Sequence, residues 1–264
     1  MPRPRHVAAL GSSFAAGPGL APVVDKAAMR SGRNYPHLLA ERLGAELTDL
    51  TVSGATTASI LRHPQRGPGA PWRLFPPQIA GVPADADLVT VTAGGNDLSY
   101  IGALLRRSAA AQLRGRWWTR PLGAALAGSK PTVTEDDVER VATGLAEIVW
   151  TARARAPRAR LVLVDYFTVV GPETRPGPEL PLSPDEIAAC RAVGERLATA
   201  FERAAERTAA DLVRVSALSA DHALGSAEPW LAGWLGRWSA MASSFHPNEA
   251  GMRAVADAIA EHVG

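Results

Sequence analysis

The sequence predicts an α/β fold built on a parallel sheet, and three observations predict it. Short β-type runs alternate with helical runs from end to end. The run Leu161-Val162-Leu163-Val164 is apolar on both faces, as a strand covered by helices on either side must be. The helical runs carry apolar stripes at helical spacing, opened by capping residues.

The strand candidates, in order, are His6 to Leu10, Leu47 to Val52, Leu88 to Ala93, Leu161 to Phe167 and Leu212 to Val215. Between the third and fourth, Thr134 with Asp137 opens a helix whose buried stripe is Val138, Val141, Leu145, Ile148 and Ala152. Between the fourth and fifth, Ser183, Pro184 and Glu186 make a capping box with proline at the first helical position. They precede the stripe Ile187, Cys190, Val193, Leu197 and Phe201. Met252, Val255, Ile259 and Val263 give the last helix its buried face.

A chain of 264 residues can bury a sizeable core, and it is read as a single domain over residues 1–264. With 47% hydrophobic and 20% charged residues it is neither a disordered tail nor a collagen-like rod. The formal net charge of +2 is too small to drive sequence-independent nucleic-acid binding, and no nucleic-acid partner is expected. Cys190 stands alone, so it forms no internal disulfide and supplies no paired thiolates for zinc; its place on a helical stripe assigns it to the core. No window approaches the roughly 18 apolar residues that span a bilayer, and the basic start runs into a glycine turn instead of a cleavable apolar segment. The expectation is a chain with no stable membrane insertion and a cytoplasmic location.

Two segments break the rhythm and are expected as insertions over one end of the sheet, near 98–131 and 219–242. The first gathers Arg106, Arg107, Arg114, Arg116 and Arg120 with Trp117 and Trp118. The second spaces Trp230, Trp234 and Trp238 four apart, which on a helix would put three indoles on one face. The expectation is that these indoles pack the insertions onto the sheet, with part of the aromatic surface walling an acyl or sugar pocket as the alternative. A single-stranded nucleic-acid platform ranks below both, because no matching fold motif accompanies the Arg and Trp mixture. The arginines 106, 107 and 114 are expected on a solvated basic face.

The chemistry-bearing residues cluster after strand ends, where open α/β sheets bind ligands. The first strand runs into Gly11-Ser12-Ser13-Phe14, a hydroxyl pair at a forced turn that matches neither GxGxxG nor GxxxxGK[ST]. After the second comes Ser53-Gly54-Ala55, where Gly54 offers an unobstructed N–H. After the third comes Gly94-Gly95-Asn96-Asp97, in which Asp97 caps or braces the Asn96 turn. Each alone could be an ordinary turn. Before the last helix stands Ser244-Phe245-His246-Pro247, placing His246 where its imidazole reaches back over the same end of the sheet; the other histidines read as structural.

Taken together, these four blocks resemble the SGNH hydrolase superfamily, the GDSL-type lipases and esterases, over nearly the whole chain. The resemblance implies a three-layer α/β/α sandwich with a flavodoxin-like parallel sheet in strand order 2-1-3-4-5. It places Ser13 at the nucleophile position, Gly54 and Asn96 at oxyanion-donor positions and His246 at the general-base position. It implies a carboxylic ester hydrolase that forms an acyl-enzyme on small-molecule esters, with no metal and no organic cofactor. The Trp and Leu content of the insertions favours hydrophobic acyl groups.

Two departures from the family pattern carry consequences. Ser12 stands where the family's aspartate precedes the nucleophile, and Ser243 stands where Asp-x-x-His requires a carboxylate. The acid's task is to accept the Nδ1 proton and fix the imidazole tautomer, which a backbone carbonyl can also do. A Ser-His dyad oriented by the main-chain oxygen of Ser243 is therefore expected, the alternative being a carboxylate arriving from elsewhere, such as Asp221, Glu228 or Glu249. A non-hydrolytic ligand-binding module on the same fold is the alternative that the missing acid suggests.

Overall fold

Strand β1 (His6–Gly11) lies second from one edge of a five-stranded sheet, with all but its first residue buried. It pairs in parallel with β2 (Glu46–Asp49) on one side and β3 (Leu88–Thr92) on the other; β4 (Arg160–Val164) and β5 (Asp211–Val213) complete the sheet. The order is 2-1-3-4-5, the flavodoxin-like arrangement the resemblance implies. These features belong to a computed structural model that describes residues 3–264; the side chains of Trp238 and Ser239 lie outside the description.

The helices in chain order are α1 (Ser13–Ala16), α2 (Tyr35–Leu43), α3 (Thr57–Leu61), α4 (Tyr100–Arg114), α5 (Arg120–Ala127), α6 (Glu135–Arg155), α7 (Pro184–Thr208), α8 (Val215–Leu218) and α9 (Glu249–Val263). Right-handed crossovers in this strand order put α2 and α9 together on one face and α3, α6 and α7 on the other, and these are the helices that pack against each other. Both expected capping boxes are present, at Thr134 with Asp137 and at Ser183 with Glu186. The stripe of α7 is buried along its length, Cys190 included, and each large apolar side chain so covered is worth about 1.5–3 kcal/mol.

Between β1 and β2 the register ends at Ala9 opposite Asp49, yet β1 continues to Gly11. The buried side chain of Gln78 enters there, accepting from Gly11 N–H at 2.8 Å and donating to Gly11 O at 3.0 Å, an oxygen that Val52 N–H also reaches at 3.1 Å. That pair fixes the last residue of β1 immediately before the Ser12-Ser13 turn.

The two irregular segments differ from their sequence-based expectation. Residues 232–236 have no regular secondary structure, Gly236 adopts φ 64°, and only Trp238–Ser243 form a short 3-10 helix, so Trp230 and Trp234 share no helical face; the side chain of Trp238 lies outside the described residues. Trp230 instead stacks on His222 at 3.8 Å and Trp234 lies over Phe245 at 6.1 Å. Trp117 and Trp118 do not pack the first segment onto the sheet: they are 83% and 62% exposed. Arg107, expected on a solvated face, is buried. Its guanidinium donates to Glu186 of α7 and to the carbonyls of Ala127 and Ser129, so it ties the α4–α5 pair to α7. A buried arginine is tolerated because every direction of its fork meets an acceptor.

Candidate active site

Ser13 opens α1 directly after β1, with Ser12 as the preceding cap residue in extended conformation. As the first residue of a helix, Ser13 keeps its N–H free of the intrahelical ladder. No intramolecular acceptor is present for it, or for Gly54 N–H, among the described residues. Gly54 adopts φ 81°, a left-handed conformation that a side chain would strain, so glycine is what allows this N–H to be turned outward. Asn96 follows Gly95, where an added Cβ would stand 2.5 Å from the ring of Tyr166. Its amide nitrogen donates to Ala55 O at 2.8 Å, which fixes the side chain beside the Gly54 turn and leaves the second amide N–H available.

Asp97 points away from this cluster. Its carboxylate accepts from Thr57 N–H at 3.1 Å and Thr57 Oγ at 2.6 Å, clamping the start of α3 to the Asn96 turn. A negative charge thus sits at a helix N-terminus, where the macrodipole favours it.

His246 brings the far end of the chain to Ser13. Its Nε2 lies 2.8 Å from Ser13 Oγ, and its Nδ1 lies 2.9 Å from the carbonyl oxygen of Ser244. A carbonyl can only accept, so Nδ1 carries the proton and Nε2 presents a lone pair to the serine hydroxyl. The acceptor is the carbonyl of Ser244, not that of Ser243. The Ser243 oxygen receives the backbone N–H of His246 at 3.4 Å instead. The one-residue difference has a local cause: Phe245 adopts φ 63°, rare for a bulky side chain, and the reversal turns the Ser244 carbonyl back under the ring two residues on. None of Asp221, Glu228 and Glu249 contacts the imidazole; Glu249 is engaged by Arg33 and Arg253.

The segment from Trp230 to Leu235 holds this turn in place by backbone pairing. Ala232 N–H donates to His246 O at 2.9 Å, and Phe245 N–H donates to Ala232 O at 2.8 Å. Asn248 N–H donates to Trp230 O at 2.9 Å. Leu235 N–H donates to Ser244 Oγ at 3.1 Å. Burial pushes His246 down to about 4, with the Ser244 carbonyl opposing the shift. The ring lies against Phe14 at 5.4 Å, which supplies much of that apolar surrounding.

Two participants escaped sequence reasoning. The hydroxyl of Tyr166 shares a hydrogen bond of 2.7 Å with Ser12, which stands in the place of the family's aspartate, and also meets the backbone of Gly95; the two strand-end turns are joined through that phenol. Gln78 fixes Gly11 from a 3-10 turn 67 residues away. Neither carries a local signal, since a lone Tyr or Gln in a single sequence is uninformative. Among the described residues no group of three His, Cys, Asp or Glu side chains could hold a metal ion.

The matching family model, the GDSL-like lipase/acylhydrolase family, spans residues 9–254 and so takes in every residue of this cluster. The chain belongs to that family. A curated relative, Lipase 2 of Streptomyces coelicolor, is 34% identical over 220 residues, covering 81% of this chain and 70% of the relative. Among solved structures, the extracellular lipase of Streptomyces rimosus superimposes with a TM-score of 0.72 at 22% identity, covering 98% of this chain and all of that one. Phospholipase A1 of Streptomyces albidoflavus gives 0.73 at 20% identity, covering 99% and 100%. At such identities the two structures establish the three-layer fold. As a GDSL-type protein the chain is a carboxylic ester hydrolase, which sets aside the binding-module alternative.

Proposed function

We propose that this GDSL hydrolase works through a Ser-His dyad and a covalent acyl-enzyme, with Ser13 as nucleophile and His246 as general base. The observation that carries the reading is the 2.8 Å contact between Ser13 Oγ and an Nε2 whose tautomer is fixed by the Ser244 carbonyl. Nε2 takes the hydroxyl proton as Oγ attacks the ester carbonyl, and the protonated imidazole then gives that proton to the departing alkoxide. In the second half-reaction water takes the place of the alcohol: His246 removes its proton, the acyl bond to Ser13 breaks, and the proton returns to Oγ. The N–H groups of Ser13 and Gly54 and the amide of Asn96 are the donors for the tetrahedral oxyanion.

A carbonyl in place of a carboxylate orients the imidazole but neutralises none of the imidazolium charge that develops. The dyad is therefore suited to activated or well-bound esters. Hydrophobic acyl esters are the proposed substrates, in keeping with the lipase names of the relatives. A panel of chromogenic esters of increasing acyl length, run on wild type and Ser13→Ala, tests the reading together with labelling by a serine-directed phosphonate. Turnover and labelling lost in Ser13→Ala support it. An unlabelled Ser13 in an active enzyme overturns it.

A further inference from the structure

The α4–α5 pair carries a feature that ester hydrolysis does not use. Residues 98–134 contain six basic side chains, Arg106, Arg107, Arg114, Arg116, Arg120 and Lys130, and no acidic one. Arg107 is spent on the buried pair with Glu186, and Lys130 reaches Asp185 at 3.0 Å. The other four are exposed and have no salt-bridge partner among the described residues.

Helix α5 is turned inside out by the usual rule for a surface helix. Its buried positions are Gly123 and Ala127, the two small residues set against α4, while Leu122 and Leu126 are 60% and 36% exposed. Leu122 and Leu126 lie one turn apart on the outward side of α5, and in the turn that precedes the helix Trp117 packs edge-on against Trp118 at 5.7 Å. Two neighbouring tryptophans left in water, followed by two outward leucines and flanked in the chain by the unpaired guanidinium groups of Arg116 and Arg120, are costly for a surface that meets only solvent.

We propose that this face docks the enzyme on an anionic lipid–water interface. Indoles lodge at the boundary between headgroups and acyl chains, an apolar helical stripe immerses shallowly, and arginines at its edge are drawn to anionic headgroups. The leucine stripe is what selects lipid over nucleic acid, which would use the indoles and arginines but gain nothing from two outward leucines. No helix among the described residues is long and apolar enough to cross a membrane, so the docking is peripheral. It is also independent of the acyl transfer proposed above.

Flotation of the full chain with phosphatidylcholine vesicles, with and without phosphatidylglycerol, tests this. Wild type is expected to float with the anionic vesicles, and less so as salt rises. Arg116→Gln with Arg120→Gln should weaken partitioning about 25-fold, taking about a factor of five for each cation near the surface. Trp118→Ser with Leu122→Ser should also release the protein, whereas Trp150→Ser, an exposed indole on α6, should not. All three should hydrolyse a short soluble ester at the wild-type rate, and Ser13→Ala should still float. Failure of wild type to bind either vesicle, unchanged binding in both double variants, equal loss in Trp150→Ser, or retention only on a single-stranded oligonucleotide each overturns the proposal. None of these touches the reading of Ser13.

Discussion

The carbonyl oxygen of Ser244 lies 2.9 Å from Nδ1 of His246, two residues further along the same turn. The imidazole is thus oriented by its own backbone. The turn in turn depends on Phe245, held in a left-handed conformation beneath Trp234. The work a separate aspartate would do is divided between a main-chain dipole and the pairing of residues 230–235 with 244–248.

That division makes neighbouring serines unequal. Ser243→Ala should retain the wild-type turnover, because residue 243 offers the imidazole nothing. Ser244→Ala removes the buried acceptor of Leu235 N–H, at about 1–3 kcal/mol, and loosens the carbonyl under the ring. Chemical denaturation should show that loss, and kcat should fall more than KM rises. Equal kcat for the two variants would refute the assignment.

Asn96→Ala should lower kcat about 100- to 1,000-fold, the usual effect of deleting one oxyanion donor. Ser13→Ala should be more severe. Steady-state kinetics on a soluble ester distinguish the two, and an Asn96 variant at wild-type rate would place the oxyanion elsewhere.

The pH dependence follows from the burial of His246. With its value pushed down to about 4, the imidazole stays neutral well below the ordinary histidine range, and the acid limb of kcat/KM should fall near pH 4 instead of near 6.5. The same shift acts on stability. The unfolded chain takes up this proton near pH 6.5 and the folded one refuses it until about 4. The contribution is therefore complete above the unfolded value and is lost as pH falls through that window. An acid limb near neutrality would contradict the observed burial.

Arg107→Ala should destabilise the protein by about 3–5 kcal/mol, because it leaves Glu186 as a buried, unpaired carboxylate. The exposed neighbour Arg106 replaced by Ala should change stability by less than about 0.5 kcal/mol. Thermal unfolding of the pair measures the contrast, and equal shifts would place Arg107 at the surface after all.

What the linear chain made legible was whatever depends on local period and local turn chemistry. The five strands, the two capping boxes and the stripes of α6, α7 and α9 are patterns of hydrophobicity and of helix-start residues, which act over a few positions. The strand-end turns holding Ser13, Gly54 and Asn96 were visible for the same reason, as was the bracing role of Asp97. The expected indole face failed because four-residue spacing marks a helix only where the backbone is free to form one. Residues 230–235 are instead recruited to pair with the histidine turn.

The sequence by itself determined the order and kind of the elements and which residues lie at the carboxyl ends of the strands, since propensity, capping and periodicity are short-range. Only the tertiary structure decided which carbonyl reaches His246, that Ser12 meets Tyr166, that Gln78 finishes β1, and that Arg107 goes inside while Trp117 and Trp118 stay out. Each of those joins residues far apart in the chain, or turns on the sign of a single φ, and is settled by the competition among buried polar groups for partners once the layers close.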